Sequence, residues 1–253
     1  MTKLVAIVNV TPDSFSDGGQ NFSPDAAIAA AHRFIAEGAD IIDIGAESTR
    51  PGATPLSPDE EWERLEPVLA GLRGVPFSVD TRHADTACKA LEAGASWIND
   101  VSGFSDALML AVAKSSDCKL VVMHSLTIPA DKNIVMPDGD VVKTILAFGK
   151  ARIKILKKAG IAQGHIIFDP GIGFGKTAAQ SMDIIRGIKR FAALGVPILV
   201  GHSRKSFLSE LGDRDEATLA VSQYLVSQGV EYLRVHEVVR HKQMLAVAKA
   251  LYE

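Results

Sequence analysis

The sequence predicts an α/β chain folded as a (β/α)8 TIM barrel, a single domain over residues 1–253, with a doubly wound open sheet as the alternative. Three observations predict it. Short β-branched runs recur eight times along the chain, each followed by a stretch with helical spacing. No low-complexity linker interrupts the series. The hydrophobic content of 47% over 253 residues suffices for a sizeable core.

The strand runs in order are "LVAIVNV", "DIIDIGA", "PFSVD", "SWIND", "KLVVMH", "HIIFD", "PILVGHS" and "YLRVH". Between the first two, "SPDAAIAAAHRFIAEG" reads as a helix with Ser23 as N-cap, Pro24 in the first turn and Gly38 at the exit. "SPDEEWERL" repeats the capping pattern from Ser57, and Pro67 predicts a bend in that helix. Val142, Leu146, Ile153 and Leu156 keep helical spacing until "KKAG" closes the segment.

Composition excludes several classes of function. A formal net charge of −3 with interspersed signs offers no basic surface for nucleic acid or membrane, so an anionic ligand must be met locally. Cys88 and Cys118 lie far apart, without metal-binding spacing, and are expected to be buried thiols in a reducing, cytoplasmic compartment. The apolar start "MTKLVAIVNV" is too short for a signal peptide, and no segment is expected to span a membrane.

Most strand runs stay apolar until their last positions, where Asn9, Asp43, Asp80, Asn99, Asp100, His124, Asp169, Ser203 and His236 appear. In a barrel these would share the C-terminal rim, where ligands bind. Asp80, Asn99 and Asp169 suit the amino-pyrimidine edge of a planar heterocycle, and Lys205 in "GHSRKSF" could reach a ring carbonyl. Arg50, and Arg234 with His236, suit a phosphate group. "DPGIGFGKT" is not a phosphate loop, because Pro170 stands where the first glycine of that motif is needed; the dinucleotide fingerprint fails at Lys176. Lys176 is accordingly expected to be a solvated charge.

"NVTPDSFSDGG", "DIGAESTRPGA", "SVDT", "IND", "DPGIGFGK", "GHSRKS" and "RVHEV" occur in an order and spacing that resemble bacterial dihydropteroate synthase over nearly the whole chain. The resemblance implies a transferase of folate biosynthesis and a sulfonamide target. It would join 6-hydroxymethyl-7,8-dihydropterin diphosphate to para-aminobenzoate, releasing pyrophosphate by an SN1-like substitution. Carried over by motif, Asp80, Asn99, Asp169, Lys205 and Gly173 would hold the pterin. Arg50, Arg234 and His236 would bind the diphosphate, and Asn9 would ligate its Mg²⁺. Phe15, Thr49, Pro51, Phe174, Lys205 and Ser206 would frame aminobenzoate. The catalytic set would be Lys205, Arg234, His236 and Arg50, in a chain expected to form a homodimer. Asp13 and Asp17 lie on the first loop, and this loop and "ESTRPGATPLS" have the composition of mobile lids.

The sequence also departs from that pattern. "MHSLTIPADKN" replaces the usual segment after the fifth strand, Ala46 replaces a glycine, and the chain begins three residues before its first strand run. The alternatives are a non-catalytic pterin-binding paralogue and a corrinoid-pathway methyltetrahydrofolate methyltransferase; the latter has no diphosphate to hold.

Overall fold

Alternation along each strand decides which side chains enter the barrel and which face the helices. The computed structural model describes residues 2–11, 23–48, 54–131 and 133–252. Its strands are β1 (Lys3–Asn9), β2 (Ile41–Gly45), β3 (Phe77–Asp80), β4 (Trp97–Asp100), β5 (Lys119–Met123), β6 (Ile166–Asp169), β7 (Leu199–Val200) and β8 (Tyr232–Val235). The helices between and after them are α1 (Pro24–Ala36), α2 (Pro58–Ala70), α3 (Ala84–Glu92), α4 (Ala107–Lys114), α5 (Val141–Lys158), α6 (Ala178–Arg186), α7 (Arg214–Ser227) and α8 (Val238–Tyr252).

All strand pairs are parallel, in the order β6-β5-β4-β3-β2-β1-β8-β7. A bridge between Phe168 and Ile198 joins the two ends, and the Phe168 N–H donates to the Pro197 carbonyl at 2.9 Å. The sheet therefore curls into the expected barrel and does not stay open. Leu4, Ala6, Val8, Ile42, Ile44, Val79, Ile98, Leu120, Val122, Phe168 and Leu233 pack outward into the main core with the helices. The opposite parity supplies an interior layer of Val5, Ile41, Trp97, Val121, Ile167 and Leu199, with Tyr232 packed against it. Trp97 and Tyr232 meet edge to face at a centroid separation of 5.0 Å.

Two residues further along several strands, the same parity delivers Asp43, Asn99, Asp169 and Arg234 to the interior above this apolar layer. Asp80 and Asn99 are register partners across β3 and β4. The apolar floor and the polar mouth thus follow from one alternation.

The helices largely follow their local signals. Ser57 caps α2 with a capping box: its Oγ accepts from the Glu60 N–H at 3.3 Å, and the Ser57 N–H donates to Glu60 Oε2 at 2.8 Å. Helix α2 continues through Pro67. Ser23 sits at the N-cap of α1 but contributes its backbone carbonyl, which accepts from Ala26 and Ala27, and no side-chain cap bond. Cys118 is buried as expected, whereas Cys88 is exposed, because Thr86, Ala87 and Ala90 occupy the buried face of α3.

Candidate active site

Arg234 organises the mouth of the barrel. Its Nε donates to Asp43 Oδ2 at 2.5 Å and its Nη2 to Asp80 Oδ2 at 3.1 Å, so one guanidinium ties β8 to β2 and β3. Asn99 Nδ2 donates to the same Asp43 oxygen at 3.2 Å. With its amide nitrogen turned to Asp43, Asn99 keeps its carbonyl oxygen as a remaining acceptor. Burial pushes the Asp80 carboxyl up to about 7 against the pull of Arg234, with Asp43 and Glu61 adding to the rise.

Asp169 closes the opposite side. Its Oδ1 accepts from the Gly171 N–H at 2.7 Å, and burial pushes its carboxyl up to about 6. The chain then turns sharply. Gly171 has φ +68°, and a Cβ there would fall 1.9 Å from the His124 carbonyl oxygen, so this approach admits only glycine. Gly173 has φ +81° and faces Lys205, whose side chain would touch a Cβ placed there. Phe174 follows, and Lys205 Nζ lies 4.1 Å from the centre of its ring. Ser206 begins a short 3-10 segment beside them. His236 is held on the same rim by Ser203, whose Oγ lies 2.9 Å from its Nδ1 and accepts from the His236 N–H at 3.3 Å.

The structure thus brings Asp80, Asn99, Asp169, Gly173, Phe174, Lys205, Ser206, Arg234 and His236 to one end of the barrel, with Asn9 at the matching end of β1. Phe15, Thr49, Arg50 and Pro51, with Asp13 and Asp17, lie outside the described residues.

Three expectations need correction or extension. Asp100 does not join the mouth: it faces outward, fully buried, and accepts from Ser102 N, Ser102 Oγ and Phe104 N, each at 2.7 Å, as a turn anchor. Lys176 is buried and not solvated, because the carbonyls of His124 and Phe174 converge on it. Asp43, read only as a rim residue, proves to be the buried partner of Arg234. The sequence signal for that role was an acid inside an otherwise apolar strand, "DIIDIG". The altered segment after β5 bonds to itself, Ser125 Oγ donating to the Thr127 carbonyl at 2.7 Å, and Leu126 packs over Gly175.

Among the described residues no three His, Cys, Asp or Glu side chains gather as a metal-binding group. A single amide oxygen from Asn9 fits Mg²⁺, which keeps several waters and is commonly held through substrate phosphates.

The chain matches the family described as "Pterin binding enzyme" over residues 5–236. It is 41% identical over 261 residues to the dihydropteroate synthase type-2 of Escherichia coli, covering 99% of this chain and 96% of the relative. It spans only 30% of the probable bifunctional folylpolyglutamate synthase/dihydropteroate synthase of Haloferax volcanii, with 40% identity over 98% of its own length. The Xanthomonas albilineans dihydropteroate synthase with 4-aminobenzoic acid superposes with a TM-score of 0.92 at 37% identity, covering 99% of this chain and 93% of that one. The Anaplasma phagocytophilum dihydropteroate synthase with bound 6-hydroxymethylpterin-monophosphate does so with a TM-score of 0.91 at 37% identity, covering 99% of each chain. These synthase relatives favour neither the methyltransferase nor the silent paralogue. Identity at this level across nearly the whole length goes beyond a shared barrel: the chain belongs to the pterin binding enzyme family, among the dihydropteroate synthases.

Proposed function

We propose that this chain acts as one pterin-binding domain that condenses 6-hydroxymethyl-7,8-dihydropterin diphosphate with para-aminobenzoate to give 7,8-dihydropteroate and pyrophosphate. The observation that carries this reading is the ring of acceptors, Asp80, Asn99 and Asp169, set around Arg234 above an apolar floor. A flat ring with donors along one edge and an anionic group beyond it satisfies both halves of such a site.

The chemistry follows from the charges. The amine of aminobenzoate is already neutral, so no strong base is needed, and the hard step is loss of pyrophosphate from an allylic-type carbon. Asp169 and Asp80 accept from the amino-pyrimidine edge, and Lys205 donates to the ring carbonyl. Arg234, His236 and Arg50 stabilise the negative charge that grows on the leaving group, which makes the substitution SN1-like. Asn9 would hold Mg²⁺ on the diphosphate, where the ion supplies further neutralisation of that group. Thr49, Pro51, Phe15, Phe174 and Ser206 frame the aromatic acid.

The protein is further read as a cytoplasmic homodimer. Two free cysteines suit a reducing compartment, and among the described residues no helix is long and apolar enough to cross a membrane. Tyr224, Val239, Val247 and Leu251 leave apolar surface on α7 and α8, suited to a second copy. The test of the activity is direct. Purified protein given pterin diphosphate, aminobenzoate and Mg²⁺ should form dihydropteroate and pyrophosphate in equal amounts, and a folded protein that forms neither would end the synthase reading.

A further inference from the structure

Lys176 has the chemistry of a fastener. An ammonium offers three N–H donors, and three acceptors surround this one: His124 Nδ1 at 2.9 Å, the His124 carbonyl at 3.1 Å and the Phe174 carbonyl at 2.9 Å. Its side chain is only 7% exposed. A buried cation is costly unless fully bonded, and a side chain without N–H groups would leave two carbonyls without this donor. Burial and the neighbouring ammonium hold His124 down to about 3, so its ring is neutral and Nδ1 accepts.

One of the two segments joined in this way carries Phe174, expected to frame the second substrate. His124 follows β5, and its N–H donates to the Asp169 carbonyl at 3.0 Å. Phe174 follows β6, and its N–H donates to the Gly171 carbonyl at 3.1 Å. With its carbonyl held by Lys176 as well, Phe174 is bonded through both backbone polar groups, and its ring is presented under Lys205. A cavity of 130 Å³ bordered by Lys176, Gly173, Ser206 and Glu210 lies alongside, so Lys176 shares a wall with another residue expected to frame aminobenzoate.

We propose that Lys176 is a positioning residue for the aminobenzoate pocket: by joining the carbonyls of His124 and Phe174 it holds the Phe174 ring, and through it Lys205, in the geometry that receives the aromatic second substrate. This role rests on the synthase reading above. The charged and titratable groups around the ammonium are His124 after β5, Asp169 on β6, Lys205 after β7 and Glu210 in the 3-10 segment beyond it. Burial brings Lys176 down to about 7, and Asp169 opposes the fall.

Steady-state kinetics of product formation test this with the parent, Lys176→Met and Lys176→Arg. Loss of the charged hydrogen bonds in Lys176→Met should raise the KM for aminobenzoate on the order of 30-fold and that for pterin diphosphate less than about threefold, with Lys176→Arg recovering most of the loss. Unchanged aminobenzoate KM in a folded Lys176→Met, or equal rises for both substrates, would overturn the role. Should the Met variant fail to fold, Lys176→Gln, whose shorter amide cannot span both carbonyls, takes its place, and an unchanged aminobenzoate KM in that folded variant would overturn the role equally. A parent that makes no dihydropteroate at all would instead strike at the synthase reading, before any variant is compared.

Discussion

Replacing Asp169 by Asn separates binding from folding at the pterin floor. Asp169 Oδ1 is already committed to the Gly171 N–H at 2.7 Å. An asparagine must keep its carbonyl oxygen on that N–H, which forces its NH2 group into the Oδ2 position. A donor then faces the donors of the amino-pyrimidine edge. The loss is one charge-assisted bond together with a desolvated donor left without a partner, about 3 kcal/mol in all. That corresponds to on the order of 10²-fold weaker binding of pterin diphosphate. Folding should respond in the opposite sense. The carboxyl is pushed by burial from its ordinary 3.8 up to about 6, so at neutral pH the folded state holds a charge it would rather shed. A neutral amide removes that cost, and the melting temperature should stay level or rise. Calorimetric titration with pterin diphosphate, alongside thermal melting, reads both effects. An asparagine variant that melts normally and binds within about threefold of the parent would refute the assignment of Asp169 to the ring edge, since such a change is below the roughly 1 kcal/mol of one ordinary hydrogen bond.

Other perturbations have equally definite outcomes. Arg234→Lys keeps the charge, and charge alone would predict an unchanged melting point; but an ammonium lacks the planar fork that reaches both Asp43 and Asp80. Stability should drop by roughly 1–3 kcal/mol and turnover by at least about tenfold, measured by melting and by kcat where chemistry limits the rate. Pterin affinity should weaken as pH falls through about 6, because protonated Asp169 presents a donor to donors, whereas stability should improve over the same fall; titrations and melts across that range check the two signs. Aminobenzoate should bind poorly to the free protein and well with Mg²⁺-pyrophosphate, because Thr49 and Pro51 flank Arg50, an expected diphosphate contact, and Phe15 lies on the loop that follows Asn9; equal affinity in both titrations would count against this order.

Much of the site could be read from residue order. A strand that is apolar until its last position and ends in Asp or Asn announces both the barrel and its mouth, because period-two alternation and the C-terminal placement of ligands are local and general rules. Asp80, Asn99 and Asp169 were legible as rim residues for that reason, His236 by its place just past a strand run, and Gly173 only through the family resemblance; the (β/α)8 architecture followed from the count of runs. Parity also separates Asn99 from Asp100: they are adjacent in sequence, yet one enters the mouth and the other anchors a turn outside it.

What only tertiary structure decided is which charges meet. Asp43 and Arg234 are 191 positions apart and come together only because β1, between β2 and β8, brings both strands into one closed barrel. Lys176 shows the same limit from the other side. No local pattern marks it as buried, since its burial depends on two loops, after β5 and after β6, converging with their carbonyls inward. Hydropathy assigns a lone lysine to water by default, and only the acceptors supplied by another part of the chain make its burial tolerable.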